Sequence, residues 1–198
     1  MKVGIVSDIH GNVAGLRRAL ELMGDIDELL CCGDSIDEYR FSNETVALLR
    51  ERGAHTIQGN HEEVFFSDRG KRARERDEHD KDLLLWLSTQ PYRRDLEFGG
   101  RKFVLVHSTA WAPYGEYIQP HSSKLAQFAE LDADFVLYGH THAQVVKRFD
   151  ATTVINPGSA GDGRDRSNNR QLSCAVVETE TTEVQVFNFP DPRYAPPS

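Results

Sequence analysis

Five short apolar runs recur along the chain, each ending at a glycine or a polar residue: Val3 to Val6, Leu29 to Cys32, Thr56 with Ile57, Phe103 to Val106, and Phe135 to Tyr138. Runs of this length bounded by turn residues read as strands buried on both faces. After the first run, Val13, Leu16, Leu20 and Met23 share one helical face behind Asn12 as cap; Val46 and Leu49 do the same behind Ser42. Strand–helix–strand order predicts right-handed βαβ units and a parallel start to a sheet. Residues 62–95 read as a helical, lid-like excursion that carries Leu83-Leu84-Leu85-Trp86-Leu87 ahead of Pro91. Gly99-Gly100 predicts a two-residue hairpin turn between Leu96–Phe98 and Lys102–Val106. One more helix carries Leu125, Phe128 and Leu131, and strands follow at 134–139, 143–148, 152–156, 172–178 and 183–188. Residues 190–198 contain several prolines and are expected to be a loosely held tail.

The chemistry sits where the apolar runs stop. Asp8-Ile9-His10-Gly11-Asn12, Gly33-Asp34, Gly59-Asn60-His61-Glu62, His107 and Gly139-His140-Thr141-His142 each follow one of the five runs. Asp8, His10, Asp34, Asn60, His107, His140 and His142 supply carboxylate, amide and imidazole donors with no thiolate, a set suited to Mn, Fe, Co, Ni or Zn. Seven such side chains exceed what one open catalytic ion takes from protein, about three or four, so two ions are expected. Ligands at the carboxyl ends of strands of one open sheet would converge on one edge, where α/β proteins bind ligands. On an extended backbone, the two ligands of Asp8-Ile9-His10 and of His140-Thr141-His142 would point to the same side. Gly11, Gly33, Gly59 and Gly139 permit the tight turns and close approach such a site requires.

In this order, D-x-H, G-D, G-N-H, H and G-H-x-H resemble the calcineurin-like metallophosphoesterase superfamily, and Ser7-Asp8-Ile9-His10-Gly11-Asn12 resembles its small single-domain prokaryotic phosphodiesterase branch. The resemblance spans roughly residues 1–160 and implies one α/β domain over 1–198, a four-layer αββα sandwich of mixed sheets with its metal site at strand carboxyl ends. It implies that Asp8, His10 and His142 hold one ion, that Asn60, His107 and His140 hold the other, and that Asp34 bridges them. His61 would face the phosphate as general acid or charge stabiliser, with Glu62 orienting it. The implied reaction is hydrolysis of a phosphoric ester, most readily a diester, by a hydroxide activated between two ions about 3.5–4 Å apart. Mn is the metal expected for activity, with Zn, Fe or Ni as other occupants. Asn156-Pro157-Gly158-Ser159 matches a loop that supports the site in that branch, and Arg164, together with Asn12, is a candidate phosphate or substrate contact.

Composition narrows the partners. The net charge of −8, from 31 Asp and Glu against 23 Lys and Arg, argues against a broad basic face for duplex nucleic acid. The basic run Arg69–Arg76 is balanced at once by Asp77, Glu78, Asp80 and Asp82, so it reads as a solvated helix, or else as a lid that draws in phosphorylated substrate. No apolar stretch of about 18 residues and no leader is present, which predicts a cytoplasmic protein without a membrane span. Cys31, Cys32 and Cys174 read as buried free thiols, the first two on opposite faces of a strand. His55, His79 and His121 lie outside the motifs and read as surface or half-buried residues. Trp111, Tyr114 and Tyr117 follow His107 closely; loop packing is their ordinary role, and stacking on a planar substrate is the alternative.

Three function classes are compatible with the pattern. The expected one is a phosphodiesterase acting on a phosphorylated small molecule or nucleotide. A non-catalytic scaffold of the same fold, as in the retromer small subunit, is disfavoured because every ligand position and His61 are filled. A phosphomonoesterase or protein phosphatase is disfavoured because Gly33-Asp34-Ser35-Ile36-Asp37 lacks the following Arg-Gly of those enzymes.

Overall fold

The structure, a computed structural model, describes residues 1–194. The last four positions of the expected tail lie outside the described residues. In chain order the elements are β1 (Lys2–Val6), α1 (Val13–Met23), β2 (Glu28–Cys31), α2 (Asn43–Glu51), β3 (His55–Thr56), α3 (Asn60–Phe66), α4 (Lys71–Arg74), α5 (Lys81–Ser88), β4 (Arg93–Phe98), β5 (Arg101–Val106), β6 (Phe135–Leu137), β7 (Val145–Phe149), β8 (Thr152–Asn156), β9 (Leu172–Glu178) and β10 (Val184–Phe189). Ser123–Leu131, expected as an α-helix, is a 3₁₀ segment, capped by the Ser122 hydroxyl and closed by Asp132 in the left-handed conformation.

Two mixed sheets face one another, with strand orders β10-β9-β1-β2-β3 and β4-β5-β6-β8-β7. Alternation along each strand decides what lies between them. Val3 and Ile5 of β1, Leu30 of β2, Phe103 and Leu105 of β5, and Phe135 and Leu137 of β6 point into the shared inter-sheet core, where the Phe103 and Phe135 rings stack at 4.8 Å. Val6, Leu29 and Cys31 point the other way, onto Leu16, Leu20 and Met23 of α1 and Leu48 and Leu49 of α2. Val104, Val106, Val136 and Tyr138 meet Leu125 and Phe128 of the 3₁₀ segment on the far side. The result is four layers, and the strands read as near-continuous apolar runs because both of their faces are buried. Each such Leu, Ile or Phe contributes about 1.5–3 kcal/mol on burial. Cys31, the last residue of β2, and Cys32 just after it are both buried and free and lie in different cores.

The excursion is helical as expected and is packed down by its own apolar cluster, Phe65, Ala73, Leu83 and Leu87 against Ile36, Phe41 and Val46. His79 is buried in that cluster rather than at the surface, and its Nε2 bonds to the Ala73 carbonyl at 2.7 Å. Gly99 and Gly100, with φ of 55° and 72°, make the tight turn between β4 and β5. Among the described residues no helix is long and apolar enough to cross a membrane.

The expected tail is held at least as far as Tyr194. Arg193 Nη2 donates to the Gly161 carbonyl at 2.7 Å, and Asp191 Oδ1 accepts from Asn12 Nδ2 at 3.3 Å. That contact also revises the expectation for Asn12. Its Oδ1 accepts the Gly15 N–H at 2.9 Å as the α1 cap, and its Nδ2 also donates to Gly161 O at 3.1 Å. Both ends of a fully buried amide are thus taken up by protein, and Asn12 is a brace between α1 and the C-terminal segment in place of a substrate contact. Asn12→Ala should therefore lower stability by about 1–2 kcal/mol, the cost of a lost N-cap, while leaving the KM of any reaction the protein catalyses unchanged. A raised KM with unchanged melting temperature would return Asn12 to the substrate.

Candidate metal centre

Parallel pairing aligns the carboxyl ends of β1, β2 and β3 in one sheet and of β5, β6 and β8 in the other. The motif loops leave these ends, so the site lies at the common edge of two facing sheets rather than along one sheet. Hydrogen bonds between loops bring them together: Asp8 N to Gly33 O at 3.0 Å, His10 N to Asp34 O at 3.0 Å, Gly11 N to Ser35 O at 2.9 Å and Gly139 N to His107 O at 3.0 Å.

The ligand pairs are not on extended backbone, as the two-residue spacing suggested. Asp8, His10, Asp34, His140 and His142 all have φ between 49° and 66°. The chain leaves each strand through left-handed turns, and it is these turns that aim the side chains inward. For residues with a Cβ this conformation costs roughly 1–2 kcal/mol each, and such costs gather at functional sites. Close approach adds a second demand. A Cβ on Gly59 would stand 2.2 Å from Asp34 Oδ1, and one on Gly139 would stand 1.9 Å from Ser7 Oγ.

The side chains converge in two neighbouring sets. Asp8, His10 and His142 bring ligand atoms within 4.8 Å of one another, and so do Asp34, His107 and His140; His10, Asp34 and His61 form a third set that joins them. His142 Nε2 lies 3.3 Å from Asp8 Oδ1 and 3.1 Å from His10 Nε2. His107 Nε2 lies 3.3 Å from Asp34 Oδ2 and 3.0 Å from Asn60 Oδ1. The outward ring nitrogens are committed: His107 Nδ1 donates to Cys32 O at 2.8 Å, His142 Nδ1 to Asp162 O at 2.7 Å, and His140 Nε2 to Gly115 O at 3.2 Å. Such outward bonds fix the tautomer and leave the inward nitrogen lone pair free for a metal. Acceptor atoms packed this closely need a cation or a proton between them, so the donor set fits divalent metal.

The titration behaviour supports this. Burial pushes the His107 imidazole down, but the Asp34 carboxylate outweighs it and lifts the group to about 10. Burial and the neighbouring His107 charge push His140 down to about 4. Burial disfavours charge on Asp8 and Asp34, yet the surrounding imidazoles hold both carboxyls below the ordinary range. Without metal, a proton on His107 occupies the place of a cation.

Glu62 does not orient His61. Its buried carboxylate accepts from Ser35 N at 2.7 Å, Ser35 Oγ at 2.6 Å and Ile36 N at 3.2 Å on one oxygen, and from Gly59 N at 2.8 Å and Asp34 N at 2.9 Å on the other. Burial and the Asp34 charge push this carboxyl upward, but every partner is a donor and the geometry is that of an anion. His61 is oriented instead by the backbone of Glu38, whose N–H donates to Nδ1 at 3.2 Å; Nε2 then carries the proton, 3.8 Å from Asp34 Oδ2. No sequence signal distinguished these roles, because Glu62 and Glu38 are both simply acidic neighbours of motifs. Asp37, 3.5 Å from His10 Nδ1, was likewise missed.

Asn156 and Ser159 are tied to the backbone of the motif loops, and Gly158 N donates to Asn156 Oδ1 at 2.9 Å. Asn156 Nδ2 donates to Gly139 O at 2.8 Å, and Ser159 Oγ donates to Asp8 O at 2.7 Å. Arg164 is exposed and bound to Asp162 through Nε and Nη2, at 2.7 and 2.6 Å, and does not line the cavity described below. Trp111 packs on Phe128 at 4.8 Å, and the Tyr117 ring stacks on His140 at 3.8 Å.

The chain belongs to the calcineurin-like phosphoesterase superfamily, whose domain model matches residues 1–182. It is 26% identical to phosphodiesterase MJ0936 of Methanocaldococcus jannaschii over 165 residues, which cover 80% of this chain and 83% of that protein. In fold it is similar to a metallophosphoesterase from Sphaerobacter thermophilus, with a TM-score of 0.76 at 22% identity over 96% of this chain and 88% of the other. It is also similar to Vps29 from Entamoeba histolytica, solved with zinc, with a TM-score of 0.58 at 19% identity over 94% and 90% of the two chains.

Two expectations follow from the geometry. Glu62→Gln replaces an acceptor with an amide NH₂ aimed at backbone N–H groups, so stability should fall by about 3 kcal/mol, read as a melting-temperature loss of roughly 6–12 °C; an unchanged melting temperature would remove Glu62 from its bracing role. Because the Asp34 carboxylate lifts His107 to about 10, a metal bound at His107 would have to displace a proton. Calorimetry in buffers of different ionisation heat should show at least about one proton released per chain near pH 7.5, and apparent affinity rising with pH. Proton-neutral binding would contradict the assignment.

Proposed function

We propose that the protein is a phosphodiesterase working with two divalent transition metal ions, Mn for activity. The observation that carries this reading is the adjacency of the two buried ligand sets, Asp8-His10-His142 and Asp34-His107-His140, joined through Asp34, with the partly exposed His61 beside them. Ions bound there would polarise a phosphoryl oxygen and acidify a water at neutral pH. Asp8, His10 and His142 would hold one ion, Asn60, His107 and His140 the other, and Asp34 would reach both.

The protein's own contribution is position and charge. The Glu62 carboxylate fixes the Asp34 backbone and the Asp34 Oδ1 accepts from His61 N at 2.9 Å, so the central carboxylate has one oxygen held and the other, Oδ2, turned to the histidines. His61 presents an Nε2–H donor because Glu38 N–H occupies its other nitrogen. A donor there suits a phosphoryl or leaving-group oxygen on which negative charge develops, the work of a positioned acid. No nucleophilic side chain lies among these residues, which supports direct attack by water. A scaffold role of the kind set aside above on sequence grounds gains nothing from the site, since every ligand position is filled and oriented.

The test is a pair of substitutions read in two ways. Bis-p-nitrophenyl phosphate should be cleaved faster than p-nitrophenyl phosphate by Mn-loaded protein, with activity lost in chelator; a tenfold preference for the monoester would overturn the diester reading. His61→Ala should keep metal content and melting temperature while turnover falls by roughly 10²- to 10⁴-fold. Asp34→Asn should lower metal content and turnover together. If His61→Ala strips metal and Asp34→Asn does not, the roles are reversed.

A further inference from the structure

Beside Asn60, His107 and His140 lies a cavity of about 590 Å³, the size of a small-molecule pocket and more than a phosphoryl group fills. Besides those three residues its lining includes Val106 and Ala110, Glu63 and Arg93, and the rings of Tyr92 and Tyr114. The two tyrosines come from separate segments, one ahead of β4 and one in the loop after β5, and are 60% and 76% exposed. The other aromatics of the Trp111–Tyr117 loop are engaged, Trp111 with Phe128 and Tyr117 with His140. Among the described residues neither Tyr92 nor Tyr114 has an aromatic partner, and neither hydroxyl has a hydrogen-bond partner. Two rings held in water at the rim of a reaction site are suited to a planar ligand.

The charges restrict what that ligand carries. Arg93 is spent on Asp95, Nε to Oδ2 at 2.8 Å and Nη2 to Oδ1 at 2.6 Å. Glu63 has no ion-pair partner among the described residues, and its charge, after burial, helps push the Tyr92 hydroxyl upward. Apart from the candidate metal-ligand histidines, the only cation of the lining, Arg93, is paired with Asp95, whereas Glu63 is a carboxylate without an ion-pair partner among the described residues. A second phosphate would face Glu63 uncompensated, whereas an uncharged heterocycle would meet Tyr92, Tyr114 and the apolar wall.

We propose that this cavity is a base-binding subsite, resting on the phosphodiesterase reading above, and that the group beyond the scissile phosphate is a nucleoside without further phosphates. Calorimetric titration of the Mn-loaded protein with adenosine 5′-monophosphate, adenosine 5′-diphosphate and ribose 5-phosphate tests it. The monophosphate should bind at least about tenfold more tightly than ribose 5-phosphate, the scale of one stacked base, and no less tightly than the diphosphate. Tyr92→Ala and Tyr114→Ala should each remove most of that margin without weakening ribose 5-phosphate, and the Phe variants should retain it. Equal affinity for adenosine monophosphate and ribose 5-phosphate overturns the subsite, as does tighter binding of the diphosphate. Hydrolysis of bis-p-nitrophenyl phosphate is measured alongside. Hydrolysis without a nucleoside preference defeats the subsite alone, and a nucleoside preference without hydrolysis upholds the subsite and defeats the assigned reaction.

Discussion

The Glu62 carboxylate is the constraint on which the metal edge depends. It is fully buried at the start of α3 and collects four backbone N–H groups and one hydroxyl from two different loops. Asp34, Ser35 and Ile36 leave β2 and Gly59 leaves β3, so one side chain holds the turns after neighbouring strands in a single geometry. A buried anion is costly unless its lone pairs are satisfied, and here the five donors that satisfy it are the backbone and hydroxyl groups that most need holding. The loop after β2 then supplies Asp34 on one side and the Asp37-Glu38 pair on the other, where it meets His10 and His61.

That rigidity makes the left-handed turns sustainable. Five candidate ligands sit at positive φ, and no one of them would hold that conformation alone against a cost of about 1 kcal/mol or more. They are held because each turn is bonded to the next loop: Asp8 to Gly33, His10 to Asp34, Gly139 to His107, and His140 N to the Asp8 carboxylate at 3.0 Å. The strain is distributed over two sheets whose cores are closed by large side chains such as Phe103, Phe135 and Tyr138. The site is thus preformed, and a metal would find its ligands in place.

Much of this was legible in the sequence, for a physical reason. Strands buried on both faces write themselves as apolar runs, and the polar residue that ends such a run must leave the core, so the runs located Asp8, Asp34, Asn60, His107 and His140 at once. The caps Asn12 and Ser42 and the Gly99-Gly100 turn were readable because each has a local mechanism. What the pattern could not show was which sheet a strand joins: Phe103 to Val106 and Leu29 to Cys32 look alike and lie in different sheets. Left-handed backbone at Asp8 or His142 was hidden because Asp and His adopt it only in a minority of positions, whereas glycine adopts it freely. That Glu38 rather than Glu62 orients His61 was hidden too, since it depends on a backbone N–H 23 residues away in sequence.

The same geometry explains why the two ends of the site differ. On the Asp8-His10-His142 side, Asn12, Ser159, Asp162 and the Arg193 segment are tied to the site loops by hydrogen bonds. On the Asp34-His107-His140 side lies the cavity, lined by residues of α3 and of the loop after β5. On the proposed reading, a substrate bound across both candidate ligand sets would have beside it the cavity that Tyr92 and Tyr114 help to line. His61 lies at the junction of the two sets, and on that reading its Nε2–H would be available to the phosphoryl group whatever lies beyond it. Catalysis and selectivity would then, on the proposed reading, be separable: the buried, strained turns would serve the phosphoryl group, while the exposed rim, built from the turn ahead of β4 and the loop after β5, contributes none of the five donors that hold Glu62.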